Sequence, residues 1–244
     1  CFLFSNAQEA SKEQPTINFL SAPFKEVLKQ AAKEDKLIFI DCYTSWCAPC
    51  KWMDKYVFVE KDVASFYNKS FVNVKLDMEK GEGPEIGKRY GVKSYPTYLY
   101  INSKGELVHK ANSKMGATEF INEAKNALDP RKALGILEKR YEDGAITNNE
   151  MLEYVVALKH LRDPKMDEVL KKLMSRVDKA WLKSAGGWKL IENFLYEDDS
   201  ELFQVLNSNK AHFINLAGLD AVKKVYQKPL LKNLYKASKE QNEV

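Results

Sequence analysis

Leu37-Ile38-Phe39-Ile40-Asp41-Cys42-Tyr43-Thr44-Ser45-Trp46-Cys47-Ala48-Pro49-Cys50-Lys51 joins a short apolar run to two cysteines three positions apart. The run over residues 37 to 40, β-branched and aromatic, predicts a strand buried on both faces, as in a parallel sheet. The cysteines follow at once and open a helix predicted over 47–58. Unpaired backbone N–H groups and the positive end of the dipole at a helix N-terminus stabilise an anion, so a cysteine there ionises below its free value of about 8.5. Cys47 is therefore the expected nucleophile. Three residues along a helix return a side chain to the same face, which puts Cys50 within disulfide reach as the resolving thiol.

Outward from this stretch the pattern alternates helix and strand. Pro23 with Phe24, Val27, Leu28, Ala31 and Ala32 predicts an amphipathic helix over 23–34. Asp62 is a candidate cap for a helix reaching about Asn68. Residues 71–77 alternate at period two, a second strand. Gly81, Gly83 and Pro84 form a loop into a short helix over 84–90, which Gly91 ends. Residues 97–101 and 106–111 read as strands joined by the turn Asn102-Ser103-Lys104-Gly105. A helix over 117–128 carries Phe120, Ile121, Ala124, Ala127 and Leu128 on one stripe. A βαβ half thus feeds a β-hairpin half.

Asp129-Pro130 breaks the pattern. Beyond it lie helical stripes only: Leu134/Leu137/Tyr141, Leu152/Val155/Val156, Met166/Val169/Leu170/Leu173, Trp188/Ile191/Leu195, Leu202/Val205/Leu206 and Leu219/Val222/Val225/Tyr226. Polar turns such as Asp143-Gly144 and Arg162-Asp163-Pro164 separate them. The expected organisation is a tether over 1–15, an α/β domain over 16–129 with a mixed sheet flanked by helices, and an all-α domain over 130–244.

With 45% hydrophobic and 30% charged residues in 244, and only 11 Gly and 8 Pro, the composition excludes collagen-like, low-complexity and wholly disordered chains. A net charge of +4 with interspersed signs is no footprint for nucleic acid. Lys223, Lys224, Lys228, Lys232, Lys236 and Lys239 read most simply as a solvated helix face, with anionic lipid a remote alternative. No run of 18 apolar residues is present to span a membrane. Cys1-Phe2-Leu3-Phe4-Ser5-Asn6-Ala7 reads as the end of a signal peptide closing on a small-x-small pattern, or alternatively as a bacterial lipoprotein start with Cys1 lipid-modified. Both imply an extracytoplasmic, periplasmic location.

Two other readings of the cysteines fit the sequence less well. A zinc site lacks its second ligand pair, because Cys42 lies inside the strand and His109, His160 and His212 are scattered. A purely structural disulfide between residues three apart closes a loop too short to constrain the unfolded chain much.

The run from Asp41 to Lys51 resembles the thioredoxin superfamily's active-site segment, where an Asp precedes the first cysteine by six positions and a Trp directly precedes it. Val74-Lys75-Leu76-Asp77 resembles the family's second strand with its buried lysine, and Gly91-Val92-Lys93-Ser94-Tyr95-Pro96-Thr97 its segment ending in a cis-proline loop. The Trp-Cys-x-x-Cys-Lys run followed by Tyr56-Val57-Phe58 is also similar to the periplasmic thioredoxin-like domain of DsbD. The resemblance implies a thioredoxin-like fold and thiol-disulfide exchange with protein disulfides or dithiols and a redox partner protein, without cofactor or metal. It implies that Asp41 exchanges a proton with Cys50 and that Lys75 is its counter-charge, an ordinary strand-surface lysine being the alternative. It implies that Trp46, Tyr95 and a cis Pro96 meet the substrate. Tyr43 either flanks the site or packs in the core. Ala48 replaces thioredoxin's usual glycine and Tyr95 an aliphatic residue, while Cys42 points to the opposite face as a buried thiol. The alternative function is a chaperone-like binding protein in which the α/β domain is a scaffold and Trp181, Trp188, Phe194, Tyr196 and Phe203 line a contact surface.

Overall fold

In a computed structural model, residues 15–242 are described. The apolar start, Cys1 and the last lysine side chains, those of Lys236 and Lys239, on which readings were based above, lie outside the described residues. The described chain divides into two compact units, which part between Lys139 and Arg140.

The first unit is a mixed four-stranded sheet with helices on both faces. β1 (Leu37–Tyr43) pairs in parallel with β2 (Phe71–Asp77) and antiparallel with β3 (Thr97–Ile101), which pairs antiparallel with β4 (Leu107–Asn112), in the order β2-β1-β3-β4. The helices are α1 (Phe24–Glu34), α2 (Ala48–Tyr56), α3 (Lys61–Ser70), α4 (Gly83–Arg89) and α5 (Ala117–Leu128). β1 lies in the middle of the sheet, and its alternation sorts the two cores. Phe39 joins Met53, Tyr67, Tyr98, Tyr100 and Phe120 under α2, α3 and α5. Ile38, Ile40 and Cys42 join Phe24, Val27, Ala31 and Ile86 under α1 and α4.

β1 runs three residues beyond the apolar run because pairing continues there: Asp41 faces Lys75 across β2, and Tyr43 faces Asp77. A charged residue in mid-strand reads as an end in sequence but is kept in register by an oppositely charged neighbour. α3 begins one residue before the expected cap, at Lys61 with Glu60 as N-cap, and Asp62 sits instead in the first turn, where its charge complements the helix dipole. Gly83 opens α4 hard against the end of β2; a Cβ there would lie 1.9 Å from the Asp77 carbonyl oxygen.

After Asp129 the chain stays on the first unit for several residues. Buried His109 of β4 accepts the Leu134 N–H at Nδ1 (3.1 Å), and its Nε2 lies 2.8 Å from Glu123 Oε2. This leads into α6 (Leu134–Glu142), which runs across the division.

The second unit is helical throughout its described residues: α7 (Asn148–Leu161), α8 (Met166–Arg176), the short α9 (Lys179–Leu182), α10 (Ala185–Phe194), α11 (Glu201–Ser208), α12 (Lys210–Ala217) and α13 (Leu219–Asn242). α7 starts on a full capping box, Thr147 with Glu150. α9 and α12 have no counterpart among the sequence stripes; α9 is a single turn, too short for a periodicity to show. The lysine row of α13 is only partly solvated: Lys223 and Lys224 are exposed, whereas Lys228 donates to the Glu192 carbonyl and Lys232 pairs with Glu197. The aromatic residues are mostly engaged: Trp188 is buried against Phe213, Trp181 donates to Asn149, and Phe203 meets Tyr226 edge-on.

Candidate active site

β1 and α2 meet at Cys47. Its extended backbone caps α2, and its Sγ accepts the Cys50 N–H at 3.1 Å. Pro49 falls in the first turn, where a missing N–H leaves no intrahelical bond unmade. Cys47 and Cys50 form a disulfide across one turn, with Cα atoms 5.3 Å apart. Both cysteines are buried, while Ala48, Pro49 and Trp46 around them are exposed, Trp46 by 64%.

On the inner side stands Asp41, 1% exposed. Its carboxylate accepts no well-directed hydrogen bond among the described residues, and its polar contact is the Lys75 ammonium at 3.2 Å from Oδ2. Burial strips the carboxylate of water and pushes its pKa up to about 6; Lys75 works against that rise and Asp54 adds to it. Lys75 is not a lone strand-surface lysine. It is half-buried, also bonds Asp54 of α2, and is walled by the rings of Tyr43, Phe58 and Phe19, whose centroids lie 4.7, 5.6 and 5.7 Å from Nζ. Burial disfavours its charge, but Asp41 and Asp54 outweigh that and hold its pKa above the ordinary lysine value. Tyr43 therefore covers Lys75.

The outer rim is aromatic. Trp46 donates its indole N–H to Glu79 at 2.9 Å and meets Tyr95 edge-on at 5.9 Å. The Tyr95-Pro96 peptide bond is cis, as the resemblance implied. Pro96 is buried, its carbonyl accepting the Ser113 N–H of the strand-end loop, and the Thr97 hydroxyl donates to the Ser94 carbonyl. Cys42 is a free, buried thiol on the other face of β1; burial, then the Asp41 charge, push its pKa well up.

All seven expected residues thus lie at one end of β1 to β3, on the loops next to that end or in the first turn of α2. Two further groups belong to the cluster. Asp54 stands four residues after Cys50, on the same face of α2, a spacing that was available in the sequence. Tyr98 faces Asp41 across β3; its buried hydroxyl has no hydrogen-bond partner among the described residues, and burial, then the Asp41 charge, raise its pKa. Only the strand register could have revealed it. Among the described residues no group of His, Cys, Asp and Glu side chains could hold a metal ion, and no helix is long and apolar enough to cross a membrane.

The family model Thioredox_DsbH, described as a protein of unknown function (DUF255), matches residues 13–98. Thioredoxin-1 of Drosophila melanogaster is 38% identical over 82 residues, a match covering 34% of this chain and 72% of the fly protein. The thiol:disulfide interchange protein DsbD of Colwellia psychrerythraea is 31% identical over 121 residues, covering 48% of this chain but only 19% of DsbD. A solution structure from Bacteroides thetaiotaomicron is 47% identical, covers 48% of this chain and 97% of its own, and superposes with a TM-score of 0.45.

Proposed function

The chain belongs to the thioredoxin family and is a thiol-disulfide oxidoreductase, and from that premise we propose that it reduces or isomerises disulfides of exported proteins. The carrying observation is the Cys47–Cys50 pair at the start of α2 with a buried carboxyl of raised pKa behind it.

In the proposed cycle the reduced Cys47 thiolate attacks one sulfur of a substrate disulfide. A mixed disulfide forms and one substrate thiolate leaves. Asp41, ionised above about pH 6, takes the proton of the Cys50 thiol. The Cys50 thiolate then attacks Cys47 Sγ, releasing the second substrate thiolate and leaving the Cys47–Cys50 disulfide. Two electrons pass to the substrate, and a dithiol redox partner returns them. Lys75 serves as counter-charge to Asp41 in this scheme, while Trp46, Tyr95 and Pro96 hold the substrate chain, the Tyr95 backbone pairing with an extended segment. No organic cofactor takes part.

Location outside the cytoplasm is part of this proposal and rests on the chemistry, since substrate disulfides persist in oxidising compartments. An insulin-reduction assay tests the activity. Turnover is expected to vanish in Cys47→Ser, and turnover persisting in that variant would exclude Cys47 as the nucleophile.

A further inference from the structure

Two rows of side chains leave the disulfide along α2. Lys51 and Lys55 are four positions apart, as are Trp52 and Tyr56, so each pair repeats on its own line of the helix surface. Lys51, Lys55 and Tyr56 are exposed and Trp52 is half-buried. The two rings lie 5.4 Å apart, with Lys55 Nζ 5.1 Å from the Tyr56 centroid. Lys114 extends the track toward the cis-proline loop. Its Nζ is 4.6 Å over Trp52, and its neighbour Ser113 bonds the Pro96 carbonyl. Exposed Lys93 lies two residues before Tyr95.

The charge on this face is uncompensated. Among the described residues none of Lys51, Lys55, Lys93 and Lys114 forms an ion pair. The acidic groups of the site are occupied elsewhere, Glu79 by the Trp46 indole and Asp54 by Lys75. Glu119 of α5 is the next exposed carboxylate along the chain from Lys114. Ammonium groups over aromatic rings suit an extended chain that lays its backbone on the rings and its carboxylates beside the lysines.

We propose that this face docks an acidic segment flanking the substrate's cysteine, a specificity that rests on the redox reading above. At 1.5 Å per helical residue, Tyr56 lies about 14 Å along the axis from Cys47, the thiol that bonds the substrate, and an extended chain crosses that in about four residues. The carboxylates recognised therefore fall within about four residues of the attacked cysteine.

Binding is measured without turnover, using serine-for-cysteine peptides that carry either glutamates or lysines on the flank, with the Trp46 and Trp52 indole NMR signals of the full-length protein as readout. The glutamate peptide is expected to bind about tenfold more tightly at low salt, a modest factor from each of several exposed pairs, and the preference shrinks at high salt. In the variant carrying Lys51→Glu, Lys55→Glu and Lys114→Glu the preference reverses. Equal affinity of the wild-type protein for both peptides at low salt overturns the proposal, as does an unchanged preference in the triple variant with a native circular-dichroism spectrum. Turnover of a small neutral disulfide tests the redox reading separately, so either idea can fail while the other stands.

Discussion

Replacing Asp41 by Asn isolates the energetic cost of the buried carboxyl. Asp41 titrates near 3.8 ordinarily and at about 6 in the folded protein. Below pH 3.8 it is protonated in both folded and unfolded chains and adds no pH-dependent contribution. Between the two values the folded protein keeps a proton that the unfolded chain releases, so stability falls as pH rises. Above about pH 6 both forms are ionised and the whole penalty remains. A shift of about two units, at 1.36 kcal/mol each, makes that penalty roughly 3 kcal/mol. Asn has nearly the same shape and cannot ionise, and Lys75 keeps Asp54 as a partner in the variant. Urea unfolding of the oxidised full-length protein, followed through β1 and β3 amide signals that report the first unit, gives the free energies. The advantage of Asp41→Asn over wild type is expected to be about 3 kcal/mol larger at about pH 8 than at about pH 3.5. An advantage equal at both pH values would refute the reasoning, because Asp41 would then carry no raised pKa.

Other consequences follow from the same contacts. The rate of mixed-disulfide resolution should rise with pH through about 6 in wild type and lose that step in Asp41→Asn, as read by rapid-quench trapping of the intermediate. Cys50→Ser should accumulate the mixed disulfide on Cys47, visible as a mass adduct. Lys75→Met removes the cation 3.2 Å from Asp41 and should raise the Asp41 titration midpoint by about one unit or more in carboxyl NMR. His109→Phe takes away the acceptor of the Leu134 N–H and should lower stability by about 1–3 kcal/mol, with faster hydrogen exchange at the Leu134 amide.

Much of this architecture was legible because period and punctuation agree with the pairing. The strand over 71–77, the turn before β4 and the helix over 117–128 stand where alternation, turn residues and the apolar stripe put them. Local chemistry also located the cysteines at a helix start, because Pro49 and the preceding strand leave little other geometry. What sequence hid was non-local. Asp41 inside a strand makes sense only beside Lys75, a pairing that the resemblance implied but no local pattern shows, and Tyr98 enters the cluster only through the β1–β3 register. Glu79 reaches Trp46 across 33 positions of sequence. The turn of chain after Asp129 shows the same limit, since its hold on β4 depends on His109 and Glu123, neither of which any local pattern ties to Leu134.

The equilibrium reduction potential of the Cys47/Cys50 couple against glutathione tests the central claim most directly. A value between about −270 mV, that of thioredoxin, and about −180 mV, that of protein disulfide isomerase, is predicted. A value near −120 mV, that of the oxidant DsbA, would contradict the proposed reducing or isomerising role.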